Sequence, residues 1–110
     1  MEYFLSHGAH INEKDEDGET ALHIAAWNNN IETAEVLISY GANINEKDEA
    51  GKTALHNATW NNNIETAEVL ISHGANINEI DEAGKTALNI ATTLNRKEII
   101  ELLISHGAKK

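Results

Sequence analysis

His23 and His56 stand 33 residues apart in the same tetrapeptide, Thr-Ala-Leu-His, within a chain that holds six histidines and 18 aspartates and glutamates. Imidazoles beside carboxylates are the ordinary partners of general acid–base catalysis. An active site needs one asymmetric set of groups, whereas these histidines, the serines and the glutamates recur once per period. Recurrence favours a structural role. No nucleophile elbow, phosphate-cradling glycine loop or His-Glu-x-x-His pair is present, so no catalytic residue is assigned and the chain is read as non-enzymatic. Glu13-Lys14-Asp15-Glu16-Asp17-Gly18 alternates carboxylates ahead of a glycine, as a calcium loop does. Such a loop needs a bidentate glutamate six residues after the glycine, and Ile24 and Asn57 occupy that position in successive repeats. The stretch is read as a solvated acidic turn, with no metal and no cofactor expected. Trp27 and Trp60 are large and repeated, and Thr93 replaces them in the third position. A helical aromatic usually packs in a core, but tryptophan is rarely fully buried and is enriched at interfaces. Both readings stay open.

The elements that position these residues follow from the period. Gly18, Gly51 and Gly84 are spaced by 33 residues, as are Ser6, Ser39, Ser72 and Ser105, which signals stacked repeats. Each begins with Asp-x-x-Gly (Asp15, Asp48, Asp81), a tight-turn pattern. A short first helix follows, Thr20 to Trp27 and Thr53 to Trp60, with threonine suited to the N-cap and Leu22, Ala25 and Ala26 at helical spacing. The Asn28-Asn29-Asn30 triplet ends one helix and caps the next. The second helix spans Ile31 to Ser39, Ile64 to Ser72 and Lys97 to Ser105, with Ile31, Ala34, Leu37 and Ile38 as its apolar stripe. After it, Gly-Ala-Asn-Ile-Asn leads toward the next turn, and extended arms around that turn predict a projecting finger. Helices this short are marginal alone, so they must gain stability by stacking.

A chain of 110 residues with 41% apolar residues suffices for one small folded unit. It carries no stretch long enough to span a membrane, no basic leader at its N-terminus and no cysteine. The expectation is a cytoplasmic protein, with the nucleus as the alternative. Eight basic against 18 acidic residues give a net charge of −10, which opposes nucleic acid and anionic lipid surfaces and favours a basic protein partner.

The residues Asp15, Gly18, Thr20, Leu22, His23, Ala25, Ala26, Leu37, Gly41, Ala42 and Asn45 resemble the ankyrin repeat, D-x-x-G-x-T-P-L-H-x-A-A followed by L-L-x-x-G-A-x-x-N. The resemblance implies an all-α repeat solenoid of helix-turn-helix units with projecting β-turn or hairpin loops. It divides residues 1–110 into a partial repeat at 1–14, full repeats at 15–47 and 48–80, and a truncated one at 81–110. Ala21, Ala54 and Ala87 replace the usual proline, and Asn29, Asn62 and Asn95 the usual inter-helix glycine. Asn89 replaces the motif histidine, which puts that side chain's hydrogen bonding in question for the last repeat.

The resemblance further implies a non-catalytic protein-interaction module whose inner helices and turns form a concave binding face. Trp27 and Trp60 would lie there as a stepped ledge, with Glu16, Asp17, Glu19, Asn28 and Tyr40 from the first full repeat. Glu49, Lys52, Asn61 and His73 would follow from the second, and Lys85 and Leu94 from the third. Several of these positions differ between the full repeats, Glu19 against Lys52 among them, so the face carries a gradient. The alternative is a near-consensus scaffold with no dedicated partner. A monomer is expected, with self-association through an open repeat end near Met1 to Ser6 as the other outcome. Asn57 stands where Ile24 and Ile90 suggest an apolar site. An unsatisfied buried amide there costs about 1–3 kcal/mol, so Asn57→Ile is expected to raise stability.

Overall fold

Three aspartates set the frame. In a computed structural model describing residues 11–108, one carboxylate oxygen of Asp48 accepts from the backbone N–H groups of Ala50 and Lys52 at 2.9 and 2.8 Å. Asp15 and Asp81 repeat the arrangement in their own turns. Each turn delivers the chain to a threonine N-cap and a seven-residue helix: α1 Ala21–Trp27, with its partner α2 Ile31–Ser39, then α3 Ala54–Trp60 with α4 Ile64–Ser72, and α5 Ala87–Thr93 with α6 Lys97–Ser105. The expected second helices carry the observed bounds. Thr20, Thr53 and Thr86 are the N-caps of the first helices, as their hydroxyls suit them to be.

Between the paired helices the asparagine triplet divides its labour. Asn29, Asn62 and Asn95 take positive φ of 54°, 56° and 58°, the left-handed conformation that asparagine tolerates better than most residues. The next residue caps the second helix, and in the first repeat the Asn30 side chain accepts from the Thr33 N–H. The chain then turns back at Gly41, Gly74 and Gly107, each left-handed.

Packing follows the repeat. The first helices stack on one another, the second helices stack on one another, and the two layers meet within each pair. Leu22, Leu37, Leu55, Leu70, Ile99 and Leu103 are buried between them, each such side chain contributing roughly 1.5–3 kcal/mol. Ala26, Ala34, Ala58, Ala67 and Ala91 are fully buried in the same core. A larger side chain there would push the layers apart.

The expected finger is not a strand hairpin: no strand occurs among the described residues. Each turn closes on itself with a single pair, such as Asp48 N–H to the Lys52 carbonyl and Gly51 N–H to the Asp48 carbonyl. One further backbone bond per junction runs along the stacking axis. Glu49 donates to the Asp17 carbonyl at 3.0 Å and Glu82 to that of Ala50 at 2.9 Å. Asparagines extend this linkage, with Asn12 accepting from the Asn43 N–H and Asn45 from the Asn76 N–H. Beyond that closure at the turn, the linkage runs to the neighbouring repeat. Most of the partial repeat expected at 1–14, the face expected at Met1 to Ser6, and the terminal Lys109 and Lys110 lie outside the described residues.

Candidate functional site

The turn of one repeat and the first helix of the same repeat form one wall of a cleft, and the next repeat forms the other. Glu19, Ile24 and Trp27 face Asp48, Lys52 and Asn57 around a cavity of about 350 Å³. Trp27 and Trp60 are 47% and 45% exposed, which rules out the core-packing reading and leaves two indoles at corresponding ends of α1 and α3. Ile24 is 44% exposed. The cleft therefore joins apolar surface to carboxylates.

His23 and His56 lie behind this surface and hold it in place. The Thr20 N–H donates to His23 Nδ1 at 3.0 Å, so the other ring nitrogen carries the proton and donates to the Lys52 carbonyl at 2.8 Å. His56 does the same with Thr53 and the Lys85 carbonyl. Each ring completes a capping box inside its own helix and pins the following turn to it. Burial pushes the His56 imidazole below the usual histidine range, against the opposing pull of its bond to Lys85 and of Asp81. Asn89 keeps the capping box, accepting from the Thr86 N–H at 2.9 Å.

Asn57, expected as an unsatisfied amide, has a partner. Its side-chain nitrogen donates to the His23 carbonyl at 3.2 Å and the residue is 3% exposed. The expectation of an apolar site fails because α3 packs against the C=O of α1 here. Asn61 is similarly committed, donating to the Trp27 carbonyl at 2.8 Å, and Asn63 donates to the carbonyls of Ala26 and Trp27. Arg96 takes over this job in the third repeat, reaching the Trp60 carbonyl at 2.8 Å. Its Nε is buried without a partner, alone in this among the side-chain polar atoms of the described residues.

The remaining residues implied by the resemblance are scattered. Glu16, Asp17 and Glu49 are exposed at turn tips, and Asn28 is exposed after α1. Lys85 is exposed beside a second cavity at the last repeat, and Leu94 is half-buried. Tyr40 and His73 sit at the C-caps of α2 and α4 and do not line the cleft. His73 Nδ1 donates to the Val69 carbonyl, as His106 does to that of Leu102, which ties both rings to helix ends. Sequence reasoning missed Asp48 as a cleft residue, because the turn motif accounts for it so completely.

Electrostatics differ between successive repeats. Lys52 reaches across the junction to Asp81, its ammonium 3.6 Å from the carboxylate. Burial opposes ionisation of Asp81, yet the N–H of Lys85, the charge of Lys52 and the N–H of Ala83 outweigh it and hold the carboxyl below the usual range. Glu19 occupies the position equivalent to Lys52. Burial, then the charges of Asp15 and Asp48, push its carboxyl above the usual range. The carboxylates of Asp15, Asp17 and Glu19 have oxygens within 4.8 Å of one another. One oxygen of Asp15 is already occupied by two turn N–H groups, and the two later turns replace Asp17 by alanine and Glu19 by lysine.

No helix among the described residues is long and apolar enough to cross a membrane. No curated protein matches the chain closely enough to count as a relative. The family description "Ankyrin repeats (3 copies)" matches residues 1–48 and 40–110. With that match over the chain and its stacked helix pairs, the chain belongs to the ankyrin repeat family.

Proposed function

We propose that the chain is a non-catalytic module that recognises a protein on the concave face formed by its first helices and turns. Ankyrin repeats are generally protein–protein interaction modules, and the observation that carries the reading here is the half-exposure of Trp27 and Trp60 at corresponding positions. Large apolar side chains left in water at the end of a rigid helix are the usual anchors of an interface. Glu16, Asp17, Glu19 and Glu49 supply an acidic rim that steers a basic partner toward them. The stacked frame supports rigid recognition, since the turns are fixed to one another by backbone bonds. In this reading His23 and His56 are structural, each tied to its own helix cap and to the following turn.

The test is capture of a partner from an extract of the source cell, compared between the unaltered chain and a Trp27→Ala, Trp60→Ala double variant. A partner retained by the first and lost by the second, with the helical circular-dichroism spectrum unchanged, supports the reading. Undiminished capture by the double variant removes the anchors, and reproducible capture of nothing by either favours the scaffold alternative.

A further inference from the structure

We infer that the cleft between the first two full repeats takes a basic side chain, an arginine or lysine, from the protein partner. This deepens the reading above and rests on it. The argument is a comparison of the chain with itself. At the junction of the second and third repeats, the cation is internal: Lys52 lies on Asp81. At the junction of the first and second, Asp48 is the counterpart of Asp81, and Glu19 is the counterpart of Lys52. Among the described residues Asp48 has no ion-pair partner, since the pairs present are Lys14–Glu46, Lys47–Glu79 and Lys52–Asp81. A carboxylate thus stands where the next repeat has an ammonium, and both Glu19 and Asp48 line the same 350 Å³ cleft, whose one lining cation, Lys52, is engaged by Asp81.

The walls fit the rest of such a side chain. Trp27 and Ile24 are half-exposed, and they offer an indole face and an aliphatic edge to the stem and charged head of an arginine, which stacks on aromatic rings and pairs with carboxylates. Burial and the neighbouring acids already disfavour the charge on Glu19, and an incoming cation relieves that repulsion. The turn backbone does not supply the charge, because the N–H groups of Ala50 and Lys52 occupy only the other oxygen of Asp48.

The probe is N-acetyl-arginine methylamide, titrated into the isotopically labelled chain in the presence of EDTA and followed by amide and indole N–H resonances. The expected result is a saturable shift at the Trp27 indole, with the uncharged N-acetyl-glutamine methylamide inert and the Trp60 indole unmoved. Equal movement of both indoles, or movement of neither, overturns the inference. Glu19→Lys restores the internal pairing of the second junction, so it is expected to abolish the Trp27 response while keeping a dispersed spectrum. Persistence of the response in that variant overturns the inference as well. If partner capture depends on the tryptophans while the titration fails, only the cation specificity falls. If the titration succeeds and no partner is captured, the protein-recognition reading falls and the cation site stands.

Discussion

His23 Nε2 donates to the carbonyl of Lys52 at 2.8 Å, and this bond joins the helix of one repeat to the turn of the next. The same ring caps its own helix by accepting from Thr20. One residue therefore serves both the local element and the stack, which is why its tautomer is fixed. The second repeat permits a graded test. His56→Ala removes both bonds from a fully buried site and is expected to cost about 2–3 kcal/mol. His56→Asn copies the third repeat, where Asn89 retains the cap, and is expected to cost only about 1 kcal/mol. Urea unfolding of the two variants checks the order.

Stability should depend on pH in two steps. The folded His56 value is depressed by burial, so the unfolded chain takes up the proton first. The stability is complete above the unfolded value of about 6.5 and falls as the pH drops through it toward the folded value. Asp81 is also depressed, and its contribution is present above the unfolded value of about 3.9 and is lost below it. Glu19 is raised, so protonation of the folded chain relieves repulsion and partly offsets the loss in the acid range. Thermal midpoints between pH 8 and pH 3, about the span of these groups, follow the two steps. His56→Asn is expected to flatten the upper one.

Gly18, Gly51 and Gly84 share a φ of 75° to 76° but not an environment. A Cβ on Gly51 would lie 2.9 Å from the Glu82 nitrogen and one on Gly18 2.8 Å from that of Glu49, whereas one on Gly84 meets nothing within 4 Å. Gly84→Ala is expected to cost about 1 kcal/mol, for the left-handed backbone alone. Gly51→Ala must also break the Glu82 to Ala50 bond between turns, adding about 1 kcal/mol or more. Denaturant midpoints that rank the two equally would show that the turns do not hold each other.

Asn57→Ala is expected to lower stability by about 1–2 kcal/mol, through loss of the hydrogen bond to the His23 carbonyl and of buried volume. Calorimetry of this variant decides whether the amide is a stabilising member of the α1–α3 contact. A rise in melting temperature would restore the apolar reading drawn from Ile24 and Ile90.

The sequence by itself determined the elements, because their signals are local. The Asp-x-x-Gly turn, the threonine cap, the alanines at helical spacing and the left-handed asparagine each act within a few residues, so the helix bounds and the repeat frame could be read directly. What only the tertiary structure decided lies at the junctions between repeats, where residues roughly 29 to 37 apart in the chain come together, as His23 and Lys52 or Asn63 and Ala26 do. Asn57 looked misplaced in a pattern of isoleucines until its partner across the junction was seen. The turns looked like separate hairpins until backbone bonds between them, Glu49 to Asp17 and Glu82 to Ala50, were found. Core packing was one reading of Trp27 and Trp60 until their exposure was known. Glu19 and Lys52 looked like one step in a gradient along the face. Only the placement of Asp48 and Asp81 beside them shows that one junction holds its own cation and the other does not.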